Sequence, residues 1–153
     1  MLFLLFHIGD DPYVLEAGCI TEVLPLVRIK ARPGPSGRIG VINHHGTPVP
    51  VIDLSELILG RPSRTQLSTR IALIRNEVAG GQPQWLGLVL EQATEALRLD
   101  PGRFASPGFT DGAASYLGPV LADQRGLIQW IHPAKLFSCA AGLAAMPEPV
   151  GSA

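Results

Sequence analysis

Thr21-Glu-Val-Leu-Pro-Leu26 recurs later in the chain as Thr94-Glu-Ala-Leu-Arg-Leu99. Two further matches follow in the same order: residues 40–46 resemble residues 118–126, and residues 51–57 resemble residues 130–136. Matches of this kind arise by chance in apolar β sequence, but their shared order argues against coincidence. The repeat predicts two similar small β-barrels side by side. They should share an apolar interface, because each alone is too small for a generous core.

The composition favours short strands separated by tight turns. Of 153 residues, 46% are hydrophobic and 16% are charged, and the chain has 17 glycines and 14 prolines. Glycine and proline are typical of turns, and a large apolar share suits covered strands better than long surface helices. We therefore expect a mainly β fold built as one domain.

Charge and hydropathy exclude several partners. Twelve basic and thirteen acidic residues leave a net charge of −1, which offers no footprint for nucleic acid or an anionic membrane. The apolar residues 1–6 lack a basic flank and end at His7, so they indicate a buried strand rather than an export signal. No apolar run reaches the roughly 18–20 residues of a membrane span, so we expect no direct membrane insertion. Cys19 and Cys139 are too few for a disulfide framework, which fits a reducing cytoplasm.

Apolar runs between turn residues predict strands at residues 2–8, 13–15, 20–29, 39–43, 48–53, 71–74, 84–90, 94–99, 116–121 and 127–131. Residues 55–59 predict a short helix that stops at Gly60, with Ser55 as its N-cap. Asp53 is a second candidate cap, and this structural role is favoured over that of a catalytic nucleophile. A polar loop over residues 61–69 follows the helix.

Several motifs occur in a fixed order along the chain. They are Gly9-Asp-Asp-Pro-Tyr13, Glu22-Val-Leu-Pro25, Gly40-Val-Ile-Asn-His-His-Gly46, Val49-Pro-Val-Ile-Asp-Leu54 and Trp85-Leu-Gly-Leu-Val89. Together they resemble the CheW family of chemotaxis coupling proteins, and the resemblance covers nearly the whole chain. It implies a mainly β fold of two intertwined SH3-like five-stranded β-barrel subdomains, packed together, with short helices.

The resemblance also implies the domain organisation. A single CheW-like domain is expected over residues 1–140. The first barrel is expected over about residues 15–75, and the second over residues 1–14 plus 76–140. Residues 141–153 are expected to form a flexible tail, because chain ends without anchoring contacts fray.

In function, the resemblance implies a non-catalytic signalling adaptor with no cofactor or metal. The implied partners are the regulatory domain of a CheA-type histidine kinase and the signalling tip of a methyl-accepting chemoreceptor. Such an adaptor is cytoplasmic and is recruited to membrane receptor arrays. Residues 1–8 and 116–119 also resemble the WspB-like couplers of surface-sensing systems. Ile131-His132-Pro133 stands where the family often has Ile-Asp-Leu, which indicates a specialised paralogue.

The same resemblance gives a candidate partner-binding surface, comprising Ile20, Glu22, Val41, Asn43, His45, Gly46 and Val49. Glu22 lies among apolar strand residues, where a carboxylate faces solvent or is paired, so it is either a docking residue or an ordinary solvent-facing one. His45 stands where the family usually has arginine, and a mostly neutral imidazole does not replace a planar cation. A plain turn histidine is the other interpretation. The apolar members belong either to the docking surface or to the core.

Other functions find less support in the residues. Adjacent His44 and His45 point to opposite faces of a strand, so one metal ion does not readily bind both. The sequence shows no nucleophile elbow, phosphate-cradling glycine loop or two-histidine zinc helix. The alternative is a small β-barrel that binds a ligand or nucleic acid outside chemotaxis, which the near-neutral charge disfavours.

Overall fold

The computed structural model describes residues 1–31, 39–77, 79–108 and 115–137. The tail predicted for residues 141–153 lies outside the described residues, as does Cys139. The described strands are β1 (Leu2–Ile8), β2 (Asp11–Glu16), β3 (Ile20–Pro25), β4 (Lys30–Ala31), β5 (Ile39–His44), β6 (Thr47–Asp53), β7 (Arg70–Asn76), β8 (Gln84–Arg98), β9 (Leu117–Asp123) and β10 (Gly126–Ile131). The helical elements are α1 (Leu54–Leu59), 3₁₀ turns at Ala17–Cys19 and Pro101–Arg103, and residues 133–137.

The strands form two sheets that share β8. The first sheet runs β4-β5-β6-β8-β7-β3, and residues 84–90 of β8 pair with β7. The second runs β8-β1-β2-β10-β9, and residues 91–98 of β8 contain the positions paired with β1. Gln92, with a φ of 51°, lies at the junction, where the register between β1 and β8 shifts. A bulge of this kind bends a strand, which here lets β8 pass from one sheet to the other.

Five strands of each sheet follow the same topology, and β4 is an addition to the first sheet. In each, a hairpin (β5–β6 or β9–β10) adds its second strand in parallel to another strand: Val51 pairs with Gly87, and Trp130 pairs with Val14. The repeated Thr-Glu segment lies in β3 beside β7 and in β8 beside β1, which are equivalent positions. The fold class is therefore confirmed as mainly β with two SH3-like subdomains. The second sheet has the expected five strands, whereas the first has six, because the short strand β4 pairs with β5. Among the described strands, neither sheet closes into a barrel. The predicted boundary near residue 75 remains a prediction, because β8 contributes to both sheets.

The largest apolar core lies between the two sheets. Phe6 and Leu15 of the second sheet pack there with Ile52 and Leu88 of the first. All four side chains are fully buried. Leu136, from the helical residues after β10, covers the same cluster. Burying a side chain of this size stabilises a fold by about 1.5–3 kcal/mol. The apolar interface predicted between the two subdomains is therefore confirmed.

Helix α1 begins at Leu54, because Asp53 caps its N-terminus. The Asp53 carboxylate accepts hydrogen bonds from the backbone N–H of Ser55 at 3.0 Å and of Glu56 at 3.4 Å. The helix ends at Gly60, whose φ of 78° is readily adopted only by glycine. The predicted capping role of Asp53 is confirmed. The prediction of Ser55 as the cap was wrong, since Ser55 lies inside the helix and is buried.

Two strand predictions differ from the structure by more than two or three residues at a boundary. The strand predicted over residues 20–29 ends at Pro25, and proline has no backbone N–H to donate to a ladder. The separate strands predicted over residues 84–90 and 94–99 are one continuous strand, β8. The polar residues between them pointed to a break, whereas the chain only bulges there.

Candidate partner-binding site

The β5–β6 hairpin positions three of the candidate residues. Its two central turn residues, His45 and Gly46, have φ angles of 51° and 84°, as a type I′ hairpin turn requires. Asn43 supports the turn, because its Oδ1 accepts a hydrogen bond from the Gly46 N–H at 2.8 Å. All three residues are exposed, so the turn presents the imidazole of His45 to solvent.

One side of this hairpin borders a depression of about 590 Å³, here called the hairpin depression. Arg28 and Lys30 supply two cations along its rim, and Val41 contributes apolar surface. The complete lining is Arg28, Ile29, Lys30, Val41, Ile42, Asn43, Gly46 and Pro48. The depression therefore combines positive charge with an apolar floor.

A second depression, of about 270 Å³, lies where the two sheets meet and is here called the inter-sheet depression. Ile20 and Glu22 of β3 line it together with Leu4 of β1 and Ala96 of β8. Val23 adds a side chain that is 39% exposed. The surface is largely apolar, with Glu22 as its carboxylate.

Glu22, which lines the inter-sheet depression, also contacts the β5–β6 hairpin. Its Oε2 lies 3.6 Å from Nε2 of His44, although β3 and β5 are not neighbours in the sheet. The Glu22 side chain is 47% exposed and that of His44 18%. The ring of His44 in turn lies 4.3 Å from the ring of His45, measured between centroids. Of the seven candidate residues, Ile20 and Glu22 line the inter-sheet depression, and Val41, Asn43 and Gly46 line the hairpin depression. His45 lies in the hairpin turn beside them.

The seventh candidate, Val49, does not belong to this surface. Its side chain is 1% exposed and packs with Ile42 in the core of the first sheet. Val49 faces inward because it alternates along β6 with the half-buried Pro50, which lies on the other face. Of the two interpretations open for this valine, core packing is correct in this structure. Ile20 is intermediate, since it lines the inter-sheet depression and also packs against the main core.

Sequence reasoning missed the two cations of the hairpin depression. Arg28 and Lys30 precede β5 by about ten residues, and the β4–β5 pairing of Lys30 with Val41 brings them to the hairpin. Their alternation around Ile29 was the one available signal, because it places both on the same side of an extended segment. No local sequence pattern indicated that Leu4 and Ala96 would line the inter-sheet depression.

Two described groups have perturbed pKa values. Burial raises the pKa of the Tyr13 hydroxyl, and the carboxylate of Asp11 adds to the rise. Burial also raises the pKa of the Cys19 thiol, and Glu16, whose Oε2 lies 3.8 Å from the Cys19 Sγ, is the second cause.

Across the described segments, no cluster of three or more His, Cys, Asp or Glu side chains is arranged to hold a metal ion. None of the described helices is long and apolar enough to cross a membrane.

Fold and surface together define the class of this protein: a two-subdomain β module of the SH3-like type with exposed depressions around one hairpin. The chain belongs to the CheW-like domain family, whose model matches residues 2–141. It is similar to the crystal structure of the scaffolding protein TtCheW from Thermoanaerobacter tengcongensis, with 25% sequence identity and a TM-score of 0.70. That match covers 85% of this chain and 82% of the other. Among curated protein sequences, none matches significantly.

Proposed function

We propose that this chain is a non-catalytic signalling adaptor that couples a chemoreceptor-like protein to a CheA-type histidine kinase. It works as a single domain over residues 1–140, in a cytoplasmic chemosensory or surface-sensing pathway. The observation that carries the proposal is that a CheW-like fold presents two depressions of different chemistry, one beside the β5–β6 hairpin and one containing Glu22, which contacts His44 of that hairpin.

The two depressions differ in chemistry, which supports two different partners. The hairpin depression offers the cations Arg28 and Lys30, which suit an acidic or carbonyl-rich surface. The inter-sheet depression offers the apolar side chains of Ile20 and Val23, which suit an apolar ridge. One partner is the kinase regulatory domain, and the other is the signalling tip of a receptor recruited into membrane arrays.

The mechanism is linkage between two binding events. An adaptor that holds kinase and receptor together raises their effective concentration, and it couples their conformational equilibria by its differential affinity for their states. The adaptor makes and breaks no covalent bond. In this chain Arg28 and Lys30 supply the positive charge that His45, in place of the usual family arginine, does not carry when neutral.

Charge reversal at Glu22 tests the proposal. We expect Glu22→Lys to weaken binding to one of the two partners about tenfold or more, measured by calorimetry with each purified partner. Stability should change by less than about 0.5 kcal/mol, because an exposed ion pair contributes little. Glu77→Lys is the matched control, since Glu77 is 73% exposed and pairs with Arg75 at 2.8 Å, away from both depressions.

Three results would contradict the proposal. One is that the wild-type chain binds neither partner. The second is that Glu22→Lys and Glu77→Lys have equal effects on binding. The third is salt-dependent binding of oligonucleotides by the wild-type chain, which would favour the alternative of a nucleic-acid-binding barrel.

A further inference from the structure

The loop over residues 61–69, between α1 and β7, presents Leu67 to solvent. Leu67 is 99% exposed, whereas the next most exposed large apolar side chain among the described residues, Leu127, is 63% exposed. The carbonyl of Gln66 accepts a hydrogen bond from the N–H of Thr69 at 3.1 Å, which places Leu67 at the apex of a β-turn. A single exposed leucine is common on protein surfaces, but a leucine at the apex of a hydrogen-bonded turn is well placed to contact a partner.

Two carboxylates fix this loop to the body of the protein. The backbone N–H and the Oγ–H of Ser63 donate hydrogen bonds to Asp53 at 2.7 and 2.6 Å. The N–H of Arg64 donates to Oε1 of Glu91 at 2.6 Å. At the other end, the carbonyl of Ser68 accepts a hydrogen bond from a backbone N–H of β8 at 3.0 Å. The loop is therefore held in place before any partner binds, which lowers the entropy cost of binding.

The loop is also positively charged. It contains Arg61 and Arg64 and no acidic residue, and Arg70 follows it as the first residue of β7. Arg61 and Arg64 are exposed, and none of the three arginines forms an ion pair with another described residue. Asp53 and Glu91, which hold the loop, accept hydrogen bonds from its backbone and from Ser63, and neither forms an ion pair with these arginines in the described part of the chain.

The loop borders a third depression, of about 400 Å³. Thr65 lines it on the loop side, and Val27 and Arg28 line it on the other. Val27 is 41% exposed, so the depression offers apolar surface beside a further cation. Arg28 also lines the hairpin depression, so the charged surface is continuous between the two.

We propose that this loop is a docking knob for an acidic α-helical segment of a partner protein. Leu67 enters a gap on the helix surface, and Arg64 and its neighbouring arginines pair with carboxylates spaced one helical turn apart. Side chains at positions i and i+4 of a helix lie on one face, so two carboxylates can flank a single apolar gap. Where the helix is that of a receptor signalling tip, the inference rests on the proposed function.

Two loop variants test the knob against the purified receptor signalling tip. Leu67→Ser and Arg64→Glu should each weaken binding about tenfold, as measured by calorimetry. Leu127→Ser and Arg103→Glu are matched controls at exposed positions outside the loop, and they should change the affinity less than about twofold. Because all four side chains are exposed, thermal unfolding should stay unchanged. Equal effects of loop variants and controls would overturn the inference.

A synthetic helical peptide provides an independent arm. It carries glutamates at positions i and i+4 around one alanine gap, and its binding is followed by fluorescence anisotropy at two salt concentrations. Wild type should bind it in a salt-dependent way, and Leu67→Ser should bind it about tenfold more weakly. If wild type binds the peptide but neither partner, the knob stands and the adaptor proposal fails. If wild type binds the tip, and both loop variants bind it equally well, the knob fails and the adaptor stands. The inference is overturned if wild type binds neither the peptide nor the tip. It is also overturned if the loop variants lose affinity only for the kinase regulatory domain.

Discussion

Replacing Asp53 by alanine should destabilise the protein by about 2.5 kcal/mol. The Asp53 carboxylate accepts four hydrogen bonds: from the N–H groups of Ser55 and Glu56 in α1, and from the N–H and Oγ–H of Ser63 in the loop. Loss of an N-cap costs about 1 kcal/mol. Hydrogen bonds to a charged acceptor contribute about 1.5 kcal/mol or more, and we take the lower value because freed loop groups can be rehydrated.

Asp53→Asn separates these two contributions. Asparagine keeps one oxygen for the cap but places an NH₂ group against the N–H of Ser63, which has no acceptor there. We expect a loss of about 1.5 kcal/mol for asparagine, between wild type and alanine. Asp100→Ala is the comparison for a cap alone, because Asp100 is exposed and caps the Pro101–Arg103 turn through one hydrogen bond, from Gly102 at 2.9 Å. That variant should cost about 1 kcal/mol or less, clearly below the cost of Asp53→Ala.

Urea unfolding measures these differences as shifts of the midpoint at constant slope. Hydrogen exchange adds a local readout: the amides of Ser63 and Arg64 should exchange faster in Asp53→Ala, since the loop loses one of the two carboxylates that hold it. The reasoning is refuted if alanine costs less than about 0.5 kcal/mol, or if asparagine and alanine are equally destabilising.

Two further predictions concern the core and a half-buried thiol. Gly87→Ala should destabilise by about 1–2 kcal/mol in urea unfolding, because its Cβ would lie 3.0 Å from Val51 Cγ2 and 3.1 Å from Ile71 Cγ2; an unchanged midpoint would contradict this. Alkylation of Cys19 can be followed in a variant whose other cysteine is replaced by serine. Its rate should reach half the maximum at a higher pH than that of a free thiol, because the thiolate is the reactive form. Burial, and then the carboxylate of Glu16, raise the pKa of the Cys19 thiol. Glu16→Gln should lower that pH, and a midpoint at or below that of the free thiol would count against the assignment.

The sequence alone predicted the β class, the internal repeat and the cap at Asp53. These features depend on local chemistry or on comparison of one segment with another. Glycine and proline mark turns wherever they occur, and a short acceptor before an apolar helical turn caps it in many folds. The repeat could be detected in the sequence because equivalent strands have equivalent neighbours and therefore carry similar residues. Strand β3 beside β7 and strand β8 beside β1 are such a pair.

The composition of the partner-binding surface could be predicted only in part. The hairpin residues Asn43, His45 and Gly46 lie within four positions of one another, and the turn geometry follows from them directly. Val49 and Val41 could not be told apart by alternation, because a period of two separates the faces of each strand without saying which face is inside.

Only the tertiary structure decided that β8 serves both sheets and that Glu22 meets His44. The first depends on the bulge at Gln92, which only the pairing of β8 with β1 reveals. The second depends on how far the first sheet curls, since β3 and β5 are separated by three other strands. The sequence determines which side chains each strand carries on each of its faces. The folded chain alone determines which faces meet, because packing between distant segments, rather than any local preference, sets the curvature and the register.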